Sequence, residues 1–321
     1  MRVALVGLGD AGRHHARALA ALAREGGATF AALCARDAGR IERFRGEAGV
    51  TDDVASFTSL EALLDARACD AVILATPDGV HAEQVAHAAA AGVHVLVEKP
   101  LALSRADGER ALAAARAADV TVQVGYHHRF HAAHALVRER LAMLVGAPCH
   151  VFARWAWADP AAAGWRARGD GARWWALAAL GTHAIDLVSW LTDRPIVGVA
   201  AILDRNDAGM DRAADVSLAL GGGLLAHVAV AVTHGAVPRV HIAGDAGEIE
   251  LVATLGARGA GDIVHRAGRE PPRPIAFQPV DPYLAQLRAF VIRAAAGGFD
   301  DGAALHALAN LEILERIAGC A

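Results

Sequence analysis

Three glycines near the start of the chain have a spacing suited to holding phosphate groups. Gly7, Gly9 and Gly12 follow an apolar run at residues 3–6 and precede an alanine-rich segment of helical composition. Between a strand and a helix, the first glycine permits a tight turn, the second lets a pyrophosphate approach, and the third lets helix and strand pack closely. This context favours dinucleotide binding over a glycine turn that merely packs. The predicted phosphate-binding residues are Gly7, Leu8, Gly9, Asp10, Ala11 and Gly12.

The first third of the chain alternates between strand and helix patterns. Apolar strand candidates at residues 29–34, 71–75, 93–97 and 121–124 are separated by segments of helical composition. This alternation predicts an α/β fold, a doubly wound parallel sheet of the Rossmann type over residues 1–122. Ligands of such sheets bind beyond the carboxyl ends of the strands. The further cofactor-binding candidates at or just after those ends are Arg36, Thr76, Pro77, His81, Glu98 and Lys99.

The end of the second strand bears on which nicotinamide cofactor binds. An NAD site usually has a carboxylate there, which accepts hydrogen bonds from the ribose hydroxyls. Here Ala35 takes that position and Arg36 follows it, whereas Asp37 comes one or two positions later and could still serve the ribose. A guanidinium in place of a carboxylate suits a 2′-phosphate. We therefore expect NADP(H) to be favoured over NAD(H), although Arg36 as a solvated surface charge stays open.

The regular alternation of strand and helix patterns ends after residue 122. Short β-like runs separated by glycine-rich turns follow a helical stretch at 174–191, and two helical patterns end the chain. These features predict a second domain over residues 123–321, an α+β domain with an open, largely antiparallel sheet. A loop is expected at 159–171, and a loop or hairpin at 255–274.

Several stretches together carry a family resemblance. The chain resembles the Gfo/Idh/MocA family, the relatives of glucose–fructose oxidoreductase and inositol dehydrogenase. The resemblance implies a Rossmann domain, a C-terminal domain with an open sheet, and a nicotinamide cofactor. It also implies hydride transfer on a sugar, polyol or related alcohol, and a homo-oligomer, dimer or tetramer, formed through the open sheet. The matching stretches are VALVGLGDAGRHHARAL, LATPDGVHAEQVAHAAAAGVHVLVEKPLALS, GYHHRF and ALGTHAIDLVSWL.

Two residues fit the chemistry that the resemblance implies. Hydride transfer between an alcohol and nicotinamide needs a proton carrier and positive charge where the oxygen becomes anionic. Lys99, in the Glu98-Lys99-Pro100 motif, can stabilise that oxygen, and the resemblance gives this lysine a functional role. His183 is the predicted proton carrier, because histidine titrates near neutral pH. A surface lysine and a satisfied helix histidine are the alternative interpretations.

One departure from the family pattern weakens the catalytic assignment. The resemblance implies an aspartate four residues before the histidine, in the pattern D-x-G-x-H, but this chain has Ala179 there. Alanine cannot orient His183 or hold a substrate hydroxyl. Substrate contacts are therefore expected from other residues, with core or interface packing as the alternative for the tryptophan among them. The candidates are Tyr126, His127, Arg129, Trp165 and Arg166.

No metal site is predicted, although the chain has 16 histidines. His127 and His128 are adjacent in sequence, and adjacent side chains are expected to diverge. The pattern H-E-x-x-H is absent.

Composition excludes several other classes of protein. Net charge is -4 with 31 basic and 35 acidic residues, which argues against nucleic acid or an anionic membrane as a partner. No membrane span and no secretory signal are expected, because long apolar runs and a basic leader are absent. Four widely spaced cysteines favour a reduced, cytoplasmic protein with small buried thiols.

Two functional hypotheses follow. The first is an NAD(P)-dependent oxidoreductase acting on a sugar-like, polyol or other small carbonyl or alcohol substrate, with Lys99 and His183 as the catalytic pair. The alternative is a cofactor-binding protein of the same fold without the standard dehydrogenase activity, serving as a sensor or partner, or catalysing non-redox or imine-reducing chemistry. Ala179 is the residue that keeps the alternative open.

Overall fold

The first half of the chain forms short buried strands joined by helices. The structure is a computed structural model, and it describes residues 1–159 and 164–319. Continuous apolar runs become strands buried on both faces, and segments rich in alanine become helices. The elements are β1 (Arg2–Val6), α1 (Asp10–Arg24), β2 (Thr29–Cys34), α2 (Ala38–Ala48), β3 (Ala55–Phe57), α3 (Leu60–Asp65), β4 (Ala71–Leu74), α4 (His81–Ala90), β5 (His94–Val97), α5 (Arg105–Ala117) and β6 (Val122–Val124).

The six strands form one parallel sheet in the order β3-β2-β1-β4-β5-β6. The order reverses direction between β1 and β4, which is the point where ligands bind in doubly wound sheets. Both strands are buried almost throughout. The predicted doubly wound Rossmann sheet is confirmed.

The second half begins with a helix and is dominated by strands. Its elements are α6 (Ala132–Val145), β7 (Pro148–Ala156), α7 (Trp165–Arg168), a π-helical turn (Leu177–Gly181), α8 (Thr182–Thr192), β8 (Ile196–Arg205), β9 (Asp211–Leu220), β10 (Leu225–Ala231), β11 (Arg239–Gly244), β12 (Gly247–Val252), β13 (Asp262–Ala267), β14 (Arg273–Ile275), α9 (Pro282–Ala296) and α10 (Asp301–Ala318). The strands form one sheet in the order β14-β13-β12-β11-β7-β10-β9-β8. All pairs are antiparallel except β7 with β10, so the largely antiparallel sheet is confirmed.

One face of this eight-stranded sheet covers a core, and the other carries exposed apolar side chains. Alternate residues such as Val216, Val228 and Ile242 are buried in the core. On the opposite face, Phe152 is 50% exposed and Ile202 is 80% exposed. Strands with one buried face show this alternation because successive side chains point to opposite sides.

The chain divides into two units that differ from the predicted domains. The first unit is Met1–Gly125 with Tyr283–Leu311, and the second is Tyr126–Pro282 with Glu312–Ala321. The predicted second domain ran without interruption from 123 to 321. The first unit instead includes β6, which is paired with β5, and most of the two closing helices. Leu311 packs within the first unit, since a Cβ on Gly108 would lie 2.7 Å from its side chain.

Some sequence expectations fall partly outside the described residues. The expected loop at 159–171 contains α7, but its residues 160–163 lie outside the described part, as does Cys320. The segment 255–274 contains β13 and leads into β14, which form a hairpin. None of the helices in the described ranges combines the length and the apolar run needed to cross a bilayer.

Candidate active site

The three glycines after β1 differ in what surrounds them. Gly7 has a φ of +93°, and a Cβ there would lie 2.4 Å from the Ala75 carbonyl oxygen. A Cβ on Gly12 would lie 2.4 Å from the Gly7 carbonyl oxygen, so α1 packs directly on the loop. A Cβ on Gly9 would meet nothing within 4 Å. The space over Gly9 is therefore open to a ligand, whereas Gly7 and Gly12 serve the fold.

The start of α1 has unsatisfied backbone donors beside that open space. Gly9 precedes the helix and caps it with no side chain, and the first N–H groups of a helix have no partner within it. Such donors and the positive end of the helix dipole bind phosphate oxygens. Asp10 forms an ion pair with Arg13, 2.6 Å between carboxylate and guanidinium. The loop residues thus fit the pyrophosphate of a dinucleotide.

Arginine side chains follow the end of β2. Arg36 is exposed, whereas Arg40 lies on α2 and donates from Nε and Nη2 to the Leu8 carbonyl oxygen at 3.1 and 2.5 Å. Asp37, the carboxylate that could have served a ribose, accepts from the Gly39 N–H and so caps α2. The sequence did not single out Arg40, because Leu8, the loop residue that it contacts, lies 32 positions earlier in the chain.

His81 joins two of the strand-end segments. Its ring nitrogens lie 2.8 Å from the Pro100 carbonyl oxygen and 2.9 Å from the Thr76 carbonyl oxygen, and the side chain is buried. The Thr76 hydroxyl donates to Gln84 at 2.6 Å, and Pro77 is exposed. His81 therefore links the two loops, and its contact with the cofactor stays a prediction.

A buried pair fixes the end of β5. His15 Nε2 lies 2.7 Å from Glu98 Oε1, and both side chains are more than nine-tenths buried. The Tyr283 ring lies edge-on to His15, with ring centroids 5.0 Å apart. The Lys99 N–H donates to the other Glu98 oxygen at 3.3 Å. The pair therefore positions the backbone of Lys99, which is itself 8% exposed.

Lys99 is the only lysine in the sequence, and the other 30 basic residues are arginines. An ammonium is a compact point charge on a flexible stem, and it takes part in proton chemistry in ways that a guanidinium does not. The position of this lysine at the carboxyl end of β5, in the same unit as the glycine loop, suits a residue that acts on a bound ligand.

In the second unit, three histidines come together. The ring centroids of His127 and His128 are 4.3 Å apart, and His183 lies 4.7 and 4.8 Å from them. All three side chains are at most 4% exposed. The prediction that His127 and His128 diverge is wrong, because a 3-10 turn at His127–Phe130 brings both rings to one side. We call these three residues the histidine cluster.

His128 is the most deeply buried member of the cluster. Neither of its ring nitrogens has a hydrogen-bond partner among the described residues, and the Trp155 ring lies edge-on to it at 5.2 Å. Burial and the neighbouring His127 and His183 hold the pKa of His128 well below its usual value, so the ring is neutral. The sequence predictions included His127 as a site residue but did not select His128.

Two further histidines beside the cluster have both ring nitrogens occupied. His134 lies 2.8 Å from the His128 carbonyl oxygen and 2.9 Å from the Thr254 hydroxyl. His131 accepts from the Ala133 N–H and lies 3.1 Å from the Ala260 carbonyl oxygen. Burial lowers the pKa of His134 to about 3. These contacts anchor the backbone of the cluster.

The other predicted substrate residues have different surroundings. Tyr126 is buried, and its hydroxyl lies 3.1 Å from that of Thr182. Arg129 donates from Nε and Nη2 to the two Asp186 oxygens at 2.8 and 2.5 Å. Such a bidentate pair commits both partners. Asp186 is therefore neutralised by Arg129 and does not supply the missing carboxylate, while a substrate contact of Arg129 stays a prediction.

Ala179 lies in the π-helical turn before α8. The Thr182 N–H donates to the Leu177 carbonyl oxygen, five residues back. This wider turn means that α-helical spacing does not apply between Ala179 and His183. Asp211 holds the turn, since it accepts from the Trp175 and Leu177 N–H groups at 2.9 and 2.7 Å, and burial raises its pKa to about 6.

Trp165 and Arg166 lie together on α7. The Arg166 guanidinium stacks over the Trp165 ring at 4.4 Å, a cation–π contact. The tryptophan whose ring contacts the histidine cluster is Trp155, on β7. The alternation of β7 turns Trp155 to the same face as the buried Ala153.

Comparisons with known proteins agree with this arrangement. Residues 1–126 match the model of an oxidoreductase family with an NAD-binding Rossmann fold, and residues 130–250 match the GFO/IDH/MocA C-terminal domain. The fold and the glycine loop thus define an oxidoreductase class with an NAD-binding Rossmann domain. The chain belongs to the Gfo/Idh/MocA family.

Individual relatives are similar over part of their length. The 1,5-anhydro-D-fructose reductase of Ensifer adhaerens is 34% identical over 161 residues, which are 49% of this chain and 47% of the relative. Inositol 2-dehydrogenase of Leifsonia xyli subsp. xyli is 34% identical over 140 residues, 43% of this chain and 40% of that protein. The chain thus spans less than half the length of these curated relatives.

A solved structure extends the likeness of fold to almost the whole chain. The 3-ketoreductase KijD10 from Actinomadura kijaniata, in complex with NADP and TDP-benzene, has a TM-score of 0.88 and 22% identity. The match covers 99% of this chain and 97% of that one. At this identity the likeness shows the fold alone.

Proposed function

We propose that this chain is an NAD(P)(H)-dependent oxidoreductase that transfers a hydride to or from a sugar-like, polyol or other small carbonyl or alcohol substrate. The observation that carries the proposal is Lys99. The only lysine of the chain is buried at the carboxyl end of β5, beside a carboxylate held by His15, in the unit that contains the open glycine loop.

The first unit supplies the cofactor site in this proposal. Gly9 and the start of α1 would hold the pyrophosphate, and the ends of β4 and β5 would flank the remainder of the dinucleotide. When bound, the nicotinamide would supply or accept the hydride. Lys99 would stabilise the substrate oxygen while it carries negative charge, which lowers the barrier without requiring a full proton transfer.

The second unit supplies groups for proton transfer. His183 would take the proton from a substrate hydroxyl, or return one to the carbonyl in the reverse direction. Without a carboxylate at position 179, its orientation depends on Tyr126, His127 and Trp155, whose rings contact it. We propose that Tyr126 and His127 contribute to substrate binding through this cluster.

Turnover assays test the catalytic assignment. We would screen sugars, polyols, keto acids and imines while following the absorbance of the reduced cofactor. Lys99→Ala and His183→Gln should each lower kcat by at least 100-fold, the usual effect of losing a general acid–base or oxyanion group. The exposed residues Arg24 and His234 provide matched controls, as Arg24→Ala and His234→Gln. Unchanged activity in either site variant would contradict the assignment.

We propose further that NADP(H) is preferred over NAD(H). The support is the absence of a carboxylate at Ala35, the exposed Arg36 that follows it, and Asp37 turned to capping α2. Fluorescence titration should show tighter binding of NADPH than of NADH, and Arg36→Ala should weaken only NADPH, by about tenfold. Tighter binding of NADH by the unaltered protein would refute the preference.

A second candidate function is supported by Ala179. A sensor or partner protein with this fold would bind the cofactor without catalysing turnover, so it would not need the carboxylate. A non-redox or imine-reducing enzyme would use a different set of catalytic residues. Cofactor binding without absorbance change against every substrate class would favour the binder. Turnover of imines alone would favour the imine reductase.

We also propose a cytoplasmic homo-oligomer formed through the exposed face of the eight-stranded sheet. Phe152, Leu225 and Ile202 are apolar and between 50% and 80% exposed on its strands, a pattern typical of association surfaces. Phe152→Glu should reduce the molar mass measured by light scattering, while Met143→Glu, an exposed site on α6, should leave it unchanged. A monomeric unaltered protein would contradict the oligomer.

A further inference from the structure

The histidine cluster has the composition of a transition-metal site. His127, His128 and His183 each offer one ring nitrogen, and these three atoms lie within 4.8 Å of one another. Ligands at 2.0–2.1 Å from a tetrahedral zinc ion lie about 3.4 Å apart. The nitrogens would need to approach one another by at most about 1.4 Å to reach that spacing.

His128 provides the second observation. It is 1% exposed, and neither ring nitrogen is hydrogen-bonded among the described residues. A buried polar group without a partner is destabilising and calls for an explanation, of which a bound ion is one. The adjacent His131 and His134 have both ring nitrogens occupied. The ring without a hydrogen-bond partner in the described part of the chain thus belongs to the cluster itself, and it faces both other rings of the cluster.

The surroundings also resemble those of metal-binding histidines. His127 Nε2 lies 3.2 Å from the Gly256 carbonyl oxygen, so it donates its N–H there and leaves Nδ1 as the acceptor nitrogen. Metal-binding histidines usually donate their other N–H to a carbonyl or carboxylate in this way. The His128 backbone is held in turn by His134, through the His128 carbonyl oxygen.

We propose that His127, His128 and His183 bind a divalent first-row transition metal, with Zn²⁺ as the ion that the donor set fits best. Three neutral imidazoles suit Zn²⁺, Co²⁺, Ni²⁺ and Cu²⁺ and do not suit Mg²⁺ or Ca²⁺, which require oxygen ligands. Three protein ligands leave a fourth position for a water or a substrate oxygen, as in catalytic zinc sites. With His183 as a ligand, the ion and not the imidazole would polarise the carbonyl or hydroxyl oxygen of the substrate, and it would do so without a carboxylate at position 179.

Metal analysis of the full-length protein tests the site directly. The protein would be stripped with a chelator, reloaded with ZnCl₂, separated from free metal and measured by mass spectrometry. We expect one Zn²⁺ per chain. X-ray absorption at the zinc edge should then show three imidazole nitrogens and one light atom. Zinc at well below one ion per chain, or a zinc shell containing sulfur or several carboxylates, would overturn the proposal.

Variants locate the ion by competition with a chromogenic zinc chelator. His128→Gln and His183→Gln should each weaken Zn²⁺ binding by more than the 10–100-fold that loss of an outer-shell partner costs. His234→Gln removes an exposed histidine of the same unit and should leave the affinity unchanged. All six tryptophans lie in this unit, so their fluorescence reports whether each variant is folded. Equal affinities in the His128, His183 and His234 variants would overturn the site.

A second measurement does not depend on the variants. Binding of Zn²⁺ to the native state raises the midpoint of thermal unfolding in proportion to the logarithm of the free metal concentration. Tryptophan fluorescence should show this rise for the second unit with ZnCl₂ and CoCl₂ but not with MgCl₂. An equal rise with MgCl₂, or no rise with ZnCl₂, would refute the proposal. Neither outcome bears on cofactor binding by the first unit.

Discussion

The two glycines Gly9 and Gly12 should respond differently to the same substitution. In Gly12→Ala the new Cβ would lie 2.4 Å from the Gly7 carbonyl oxygen, about 0.8 Å closer than the two atoms tolerate. Helix α1 and the loop must then separate, and overpacking of this kind costs about 1–3 kcal/mol. For a unit of about 150 residues, each kcal/mol lowers the unfolding midpoint by about 2–4 °C.

Gly9→Ala should spare the stability of the first unit and weaken cofactor binding instead. Its φ of -88° and ψ of -158° suit alanine, and the new Cβ meets no protein atom within 4 Å. The free energy of unfolding should stay constant or rise by up to about 1 kcal/mol, because alanine restricts the unfolded chain. The methyl group would instead occupy space needed by the pyrophosphate. We expect NADPH affinity to fall at least tenfold, or about 1.4 kcal/mol.

Calorimetry and cofactor titration separate these effects. The first unit contains no tryptophan, because the six are at positions 155, 157, 165, 174, 175 and 190. Its unfolding must therefore be followed by heat capacity or circular dichroism, and NADPH binding by the fluorescence of the cofactor. Gly46→Ala, within α2 and with open space at its Cβ, is the matched control. If Gly9→Ala binds NADPH as tightly as the unaltered protein, the cofactor does not approach this loop.

Three other predictions follow from the structure. The pKa of Asp211 is about 6 in the fold against an ordinary value of 3.8, so the native state holds a proton that the unfolded state releases. Its contribution of about 3 kcal/mol is present below pH 4 and is lost as pH rises through 6. In urea unfolding, the stability of the unaltered protein relative to that of Asp211→Asn should therefore fall between pH 4.5 and 6.5. Burial raises the pKa of Cys34 and Cys69 to about 11, so mass spectrometry after brief alkylation should show Cys149, which is exposed, modified well before them. Reductive alkylation of amines should modify Lys99 as the single lysine, and NADPH should slow that reaction several-fold; no protection would place the cofactor away from it.

A second buried group, His134, gives the stability the opposite pH dependence, so the prediction for Asp211 requires a comparison of the unaltered protein with the variant. His134, whose pKa burial lowers to about 3, binds its proton mainly when unfolded, so its contribution to stability falls as pH drops below 6.5. Over the same pH range, the contribution of Asp211 to stability rises as pH drops. The pH dependence of the unaltered protein alone would therefore not identify either group, whereas the difference from Asp211→Asn removes the shared terms.

Local sequence patterns were sufficient to predict most of the fold. The strands β1 and β4 are continuous apolar runs that only a sheet buried on both faces accommodates, and the family model matches the same region. The patterns could not place the closing helices. Their apolar faces fit either unit, and only contacts such as that of Leu311 near Gly108, about 200 residues away, assign them to the first.

The candidate site was harder to predict because its geometry depends on short irregular turns. A 3-10 turn places the rings of His127 and His128 together, although adjacent residues in a strand point to opposite faces. A π-helical turn changes the spacing between Ala179 and His183. Neither turn has a reliable signature in one sequence, whereas the glycine loop does, because each glycine answers a separate steric demand.

The missing carboxylate and the histidine cluster have a common electrostatic consequence. An aspartate at position 179 would place a carboxylate in the π-helical turn that leads into α8. Here the neighbouring rings are imidazoles, and burial keeps His128 neutral. Asp186 does not restore the charge, because Arg129 neutralises it through two hydrogen bonds. The site is therefore rich in imidazole nitrogens and poor in anionic oxygen, which is the composition that the proposed transition-metal site requires.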